Sequence, residues 1–214
     1  MCNVEKGIGG MSGGMGKQMG VERMFRHVVM GVGALLMVLL PEVAGAGEIS
    51  ELAAQAERKV QDDPVAALQD MNAALDKLWS RMPMVATQAT FVAEPPKGFG
   101  LYKPRGNSTF KPGEPLIIYA EVAGFGHKPA GDGTYEIAIN GDVAIATLQK
   151  QVLAKMPDFL KSRMRSHRRN KEFMVQMTVE LSGAPAGQYV LLARLKDQVT
   201  GKTTSFSLPF RIAP

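Results

Sequence analysis

The sequence predicts a mainly β protein: an immunoglobulin-like antiparallel β-sandwich preceded by a two-helix N-terminal segment. Three observations carry that expectation. Apolar residues recur at three- and four-residue intervals up to about residue 83, then switch to alternation. Clusters of Pro, Gly and Asp at 95–98, 111–115, 129–133, 182–187 and 197–201 punctuate the alternating part, as in all-β domains. A short apolar run near the N-terminus stands apart from both.

That run comes first. Arg26 and His27 lead into Val28–Leu40, 13 apolar residues, closed by Pro41 and the small-residue pattern Ala44-Gly45-Ala46. A basic end, a short apolar core and an A-x-A exit predict a cleaved secretory signal. A bilayer-spanning helix needs about 20 apolar residues, so no transmembrane anchor is expected after cleavage. Cleavage after Ala46 would leave Gly47 as the mature start, in the periplasm or secreted. The first 23 residues are Gly-rich and without apolar period, and Met24 opens a more ordinary leader. Translation is therefore expected to start at Met24; the alternative is a long leader that is still cleaved. The expected division is 1–46 leader, 47–83 helical segment and 84–214 sandwich.

Cys2 is the one cysteine, and it precedes the cleavage point. The mature chain can form no disulfide, thiolate metal site or cysteine nucleophile, and has no cysteine to carry a lipid. Of 214 residues, the 168 after Ala46 are enough for one compact domain resting on an apolar core. The formal charge is +5. Residues 1–46 carry four basic and three acidic side chains, which leaves the mature part at +4. That balance permits attraction to anionic polymers or lipid surfaces.

The first helix is predicted over 48–61, where Ile49, Leu52, Ala53, Ala56 and Val60 keep helical spacing. Asp63 is a favourable N-cap, and Pro64 fits the first position of a second helix. There Leu68, Met71, Leu75, Leu78 and Met82 form an apolar stripe with Trp79 beside it, and Pro83 ends the helix. The stripe reads as a face packed on its own domain, or as a short dimerisation seam; two heptads are too few to hold a coiled coil alone.

Strands are predicted over Ala89–Glu94, Phe99–Lys103, Pro115–Ala123, the alternation Phe173–Leu181, the alternation Tyr189–Leu195, and Thr204–Ile212. Asn140-Gly141 is a hairpin dipeptide. Yet Tyr135, Ile137, Ile139, Val143 and Ile145 keep one phase across it, which predicts a single long strand bent at Gly141, able to pass between sheets. Tyr189 opens a strand just after a Pro/Gly corner, where immunoglobulin-like sandwiches bond a tyrosine hydroxyl back to the corner backbone.

The block Gly98–Arg105, the run Phe110–Leu116, the stretch Tyr119–Gly126, Gly187-Gln-Tyr189 and Ser205–Phe210 together resemble an uncharacterised group of exported bacterial proteins with a helical lead and a β-rich body. The resemblance spans about residues 64–212. It implies a fold and an export address, and no activity or catalytic residue.

Local chemical motifs are sparse. No G-x-S-x-G elbow occurs, and no phosphate-cradling glycine loop lies in the mature part. His127, Asp132 and Glu121 could converge, but their spacing does not require it. Gly131-Asp132-Gly133 is a fragment of a calcium-type loop without its remaining carboxylates. No metal or cofactor is implied. Two constellations remain. Lys161, Arg163, Arg165, Arg168, Arg169 and Lys171, with His167 among them, form a basic run, read either as an anionic-surface contact or as a solvated loop or short helix between strands. Tyr102, Arg105, Tyr119, Glu121 and Phe125, near Phe110 and Glu114, mix aromatics with opposite charges. They read as a recognition patch, or as a structural set in which Arg105 pairs with Glu114 or Glu121. Export removes nucleic acid from the candidate partners. The sequence thus points to a non-catalytic periplasmic binding or interaction module of the cell envelope, with an envelope protein or an anionic envelope polymer or lipid as partner. The alternative is a small hydrolase or envelope-polymer enzyme using Glu121, His127 and Asp132.

Overall fold

The computed structural model describes residues 46–214. The predicted leader core and the Met24 start lie outside the described residues. Two helices come first, α1 (Ala46–Lys59) and α2 (Pro64–Arg81). Asp63 caps α2 as the sequence predicts: its carboxylate accepts the Ala66 N–H at 3.0 Å, and Pro64 sits where no N–H is needed.

The helices do not pack through the apolar stripe, so its reading as a face packed on its own domain does not hold. The buried positions of the pair are Ala56, Ala67 and Ala74. Leu68, Met71, Leu75 and Leu78 face outward, Leu68 64% exposed. Alanines allow close approach of the helix backbones, so the alanine face takes the interior and the bulkier stripe does not. α2 is tied to the rest by Trp79, whose indole N–H donates to the Phe125 carbonyl at 2.8 Å and whose ring meets Phe125 edge-on at 5.2 Å. Lys202 completes the joint. Its ammonium donates to the carbonyls of Ser80 (3.1 Å), Met82 (2.7 Å) and Gly124 (3.1 Å), placing a cation at the negative end of α2. Gly124 has φ +79°, and a Cβ there would meet the Pro83 carbonyl oxygen at 2.3 Å, so only glycine fits this crossing.

Nine strands follow: β1 (Val85–Phe91), β2 (Thr109–Phe110), β3 (Leu116–Ala123), β4 (Lys128–Pro129), β5 (Tyr135–Ala146), β6 (Val152–Ser166), β7 (Met174–Val179), β8 (Gly187–Asp197) and β9 (Thr203–Ile212). They form a β-sandwich of a three-stranded sheet, β1-β3-β7, and a six-stranded sheet, β2-β9-β8-β5-β4 with β6 also on β5. Pairing is antiparallel except for the two-residue β2 beside β9. Inward positions build two contiguous clusters. One gathers Phe91, Phe110, Ile118, Val143, Met177, Leu191 and Phe210; the other Val122, Phe125, Ile137, Ile139, Phe173, Val175 and Leu195. Residues 99–103, predicted as a strand, form only an isolated bridge between Gly98 and Leu101.

β5 is one strand, as its unbroken phase predicts, and it stays within one sheet. Its register with β6 shifts just after Gly141, where a Cβ would lie 2.8 Å from the Leu195 side chain and 3.2 Å from Leu160. The larger departure is β6. No strand is expected over 152–166, yet these residues form the longest strand among the described residues, paired there with β5 alone at the sheet's edge. Pro157 lacks a ladder donor, and the residues around it bulge: Asp158 adopts φ +51° and its N–H donates to the Asp142 carboxylate at 2.9 Å. Only an edge strand tolerates such a defect.

Two polar anchors fix the corners. The Tyr189 hydroxyl donates to the Pro185 carbonyl at 2.8 Å, the tyrosine corner predicted from the sequence. The fully buried Asp197 accepts N–H bonds from Gly126 (2.8 Å), Val199 (3.0 Å) and Thr200 (3.2 Å) and the Thr200 hydroxyl. A buried carboxylate is tolerable only when so saturated. Here it joins the β8–β9 turn to the loop after β3.

Candidate functional site

Strand register decides which side chains share a face. Along β8, Leu191, Ala193 and Leu195 are buried, so Arg194 and Lys196 point outward. Arg194 pairs with Asp142 of β5 and Lys196 with Asn140. On the other side of β5, Lys161 lies opposite Asn140, Arg163 opposite Ala138, Arg165 opposite Glu136 and Lys155 opposite Ala144. Six cations from two separate stretches of chain therefore stand on the outer face of the six-stranded sheet. Arg211, opposite Gln188, and Lys128, opposite Glu136, lie on that face too. Glu136 and Asp142 are the acids at these paired positions.

The acids do little to neutralise the face. Arg165 makes loose pairs with Glu136 (3.7 Å) and Asp132 (3.8 Å). Arg163 turns to the Asn140 side-chain oxygen (3.0 Å) and the Ser162 carbonyl (2.9 Å). The ion pairs among the described residues leave out Lys155, Lys161, Arg194 and Lys196. Alternate outward positions on one strand lie about 7 Å apart, within a Debye length of about 8 Å at physiological salt, so the cations along each strand reinforce one another's potential.

The basic run is thus divided by the fold. Lys161, Arg163 and Arg165 belong to β6 and the outer sheet face. Arg168 and His167 lie in the exposed turn after it. Arg169 and Lys171 turn toward α2: both pair with Asp76, and Arg169 lies 5.1 Å over the Tyr135 ring. The segment predicted as a loop or short helix is, through Ser166, regular strand. Lys155, Arg194 and Lys196 lie outside the basic run in sequence. The phase of β8 placed the last two outward, but only the pairing of β6 and β8 on either side of β5 joins them to the run.

The aromatic and charged set is divided as well. Tyr102, Tyr119 and Glu121 come together on the outer side of the three-stranded sheet. The Tyr119 hydroxyl donates to Glu121 at 2.5 Å and accepts the Gly100 N–H at 2.7 Å, and its ring stacks on Tyr102 at 4.1 Å. Burial, together with the hydrogen bond to Glu121, pushes the Tyr119 phenol up to about 12. This arrangement fastens residues 98–105 over the sheet and leaves Tyr119 fully buried. Arg105 lies elsewhere, bonded to Glu114 at 2.7 Å and to the Thr109 carbonyl at 2.9 Å, over the Phe110 ring at 4.2 Å. The Lys111 N–H and then the Arg105 guanidinium hold the Glu114 carboxyl below its ordinary value. Phe125 is core, 1% exposed between Trp79 and Phe173.

Glu121, His127 and Asp132 have separate partners. His127 Nε2 donates to the Asn170 carbonyl at 2.7 Å, and burial lowers its pKa. Asp132 bonds the Thr134 hydroxyl and N–H, which lowers its carboxyl, and faces Arg165. Among the described residues no three His, Cys, Asp or Glu side chains gather closely enough to hold a metal ion.

No protein-family model matches the chain, and no curated protein matches it. Partial likeness exists among solved structures. One is the Pseudomonas fluorescens alkylpurine DNA glycosylase AlkC bound to DNA containing an abasic site analog, 9% identical over 78% of this chain and 47% of that one, with a TM-score of 0.33. Another is the CARDB domain of a Pyrococcus furiosus protein in complex with di-metal ions, 10% identical over 50% of this chain and 82% of that one, with a TM-score of 0.28. The chain spans about half the length of the glycosylase. At such scores neither likeness carries an argument about function.

Proposed function

We propose that the protein is an exported, non-catalytic binding module of the bacterial cell envelope, and that the outer face of its six-stranded sheet docks on an anionic envelope polymer or lipid. The observation that supports this reading is the meeting of Lys155 and Lys161 from β6 with Arg194 and Lys196 from β8 on one face, without ion-pair partners among the described residues. The leader at 24–46, with its A-x-A exit, supports the address. No bonded arrangement of Glu121, His127 and Asp132 favours the enzyme reading.

The test is co-sedimentation of the exported protein with phosphatidylglycerol vesicles, neutral vesicles and an insoluble anionic wall polymer, at low and high salt. Each cation near an anionic membrane contributes about 1 kcal/mol, so neutralising three weakens binding roughly 150-fold. Binding to an anionic phase at low salt, release at high salt and loss in the triple variant Lys161→Gln/Arg163→Gln/Lys196→Gln are expected. Equal sedimentation of variant and parent, or binding to no anionic phase, refutes the reading. N-terminal sequencing of the same material should begin at Gly47; a product retaining 28–40 removes the export premise.

A further inference from the structure

The outer face of the six-stranded sheet is not uniform. Beyond Asp142 and Arg194 the next cross-strand row carries one charge, Lys155 at its β6 end opposite Ala144. Ala144 pairs with Leu192, and Leu192 with Ser207; Arg194 pairs with Ser205. Small side chains at three of these positions keep the floor low. On the β6 side the bulge at Pro157 and Asp158 raises a wall. The result is an open groove of about 560 Å³ whose lining includes Ala144, Leu192, Met156 and Pro157. That volume falls within the roughly 300–1,000 Å³ of small-ligand sites.

Charge stands on two sides of this apolar groove, Lys155 on β6 and Arg194 on β8, with β5 between them. Lys155 and Arg194 both line it, and neither has an ion-pair partner among the described residues. Asp142 is the acid in the lining, and its carboxylate already accepts the Asp158 N–H. An apolar trough beside two uncommitted cations and one occupied carboxylate complements a ligand with a hydrocarbon chain and a negative head.

We propose that the groove binds a single-chain anionic amphiphile as a monomer, the chain over Ala144 and Leu192 and the head on Lys155 and Arg194. This rests on the reading of the sheet face as an anionic-ligand surface and adds the part the cations alone do not supply, a seat for hydrocarbon. Dodecanoate below its micellar concentration is the probe and dodecanol its uncharged control. Dodecanoate is expected to bind saturably to the exported protein, and amide shifts on titration should centre on Ala144, Leu192, Arg194 and Ser205. Filling the groove with Ala144→Trp, or separately Ser207→Trp, should reduce binding at least tenfold, thermal melting confirming each fold. Lys155→Gln/Arg194→Gln should cost dodecanoate at least tenfold and dodecanol less than twofold. No saturable binding, amide shifts centred elsewhere, or affinity unchanged in both folded tryptophan variants overturns the proposal. Vesicle sedimentation separates the two readings. Dodecanoate binding without vesicle or polymer binding leaves the groove and removes the docking face, whereas salt-sensitive vesicle binding without dodecanoate binding removes the groove alone.

Discussion

Replacing Lys202 with methionine tests how the helical pair is held on the sandwich. Methionine keeps the unbranched apolar stem and removes the ammonium, so the change is confined to the three carbonyl bonds. The Ser80 carbonyl belongs to an exposed residue and can take water instead. The Met82 and Gly124 carbonyls accept in part-buried bonds, and each loses a partner worth about 1 kcal/mol. Loss of a cation from the last turn of α2 adds about 0.5 kcal/mol. The variant should therefore be destabilised by about 2.5 kcal/mol, which for a chain of this size lowers the melting temperature by roughly 5–10 °C. Urea unfolding followed by far-ultraviolet dichroism measures the first quantity, with an unchanged slope if the unfolded state is unaffected. Hydrogen exchange should report faster opening of α2 than of β8. Lys202→Arg retains the charge and should recover part of the loss. A stability change below about 0.5 kcal/mol would show that water replaces the ammonium at all three carbonyls and that Trp79, with the pairs of Asp76 to Arg169 and Lys171, holds the helices without it.

Tyr189→Phe deletes the bond to the Pro185 carbonyl and should cost about 1 kcal/mol in urea unfolding; an unchanged midpoint would mean the hydroxyl is merely solvated. Tyr119 has a phenol pKa of about 12 in the folded state against about 10 unfolded, so its contribution is complete below pH 10 and lost as pH rises through 10 toward 12. Alkaline unfolding should therefore carry a sag on the order of 2–3 kcal/mol across that window that Tyr119→Phe abolishes; an identical pH profile in the variant refutes the assignment.

The fold was legible where each element carries its own signal. Asp63-Pro64 announces a helix start because capping is local, and the odd-numbered phase of 135–145 announces one strand because a turn would have broken it. The Tyr189 corner was legible for the same reason. β6 was hidden because an edge strand buries only half of one face. Its inward positions include Ser162 and Ser166, and Pro157 with Asp158 interrupts the alternation, so the basic residues dominated the reading. The pattern Met156, Leu160, Met164 was the available signal. The packed-face reading of the helix stripe fails because apolarity is not burial: Ala56, Ala67 and Ala74 gain more from backbone approach. The candidate face could be read only in part. Clustering in sequence marked Lys161–Arg165, but Arg194 and Lys196 join them through register, and register is a property of the paired sheet. The same limit explains Arg105 and Phe125, which sequence proximity grouped with Tyr119 and which the fold sends to a loop clasp and to the core.

The long outer strand has a consequence for how copies of this protein meet. An unpaired edge of 15 residues is a template on which another chain can add and begin aggregation. Two copies joining antiparallel about Arg163 would oppose Lys161 to Arg165 twice and Arg163 to itself, three repulsive pairs in a row. Farther along, Pro157 withholds a donor and the bulge breaks the straight edge. The charge ladder of β6 therefore acts as a gatekeeper against sheet growth in a chain whose one cysteine can form no internal disulfide to lock the monomer. Stripping those charges to probe ligand binding also strips that protection, so glutamine variants of β6 should be handled dilute and their association state followed alongside their affinity.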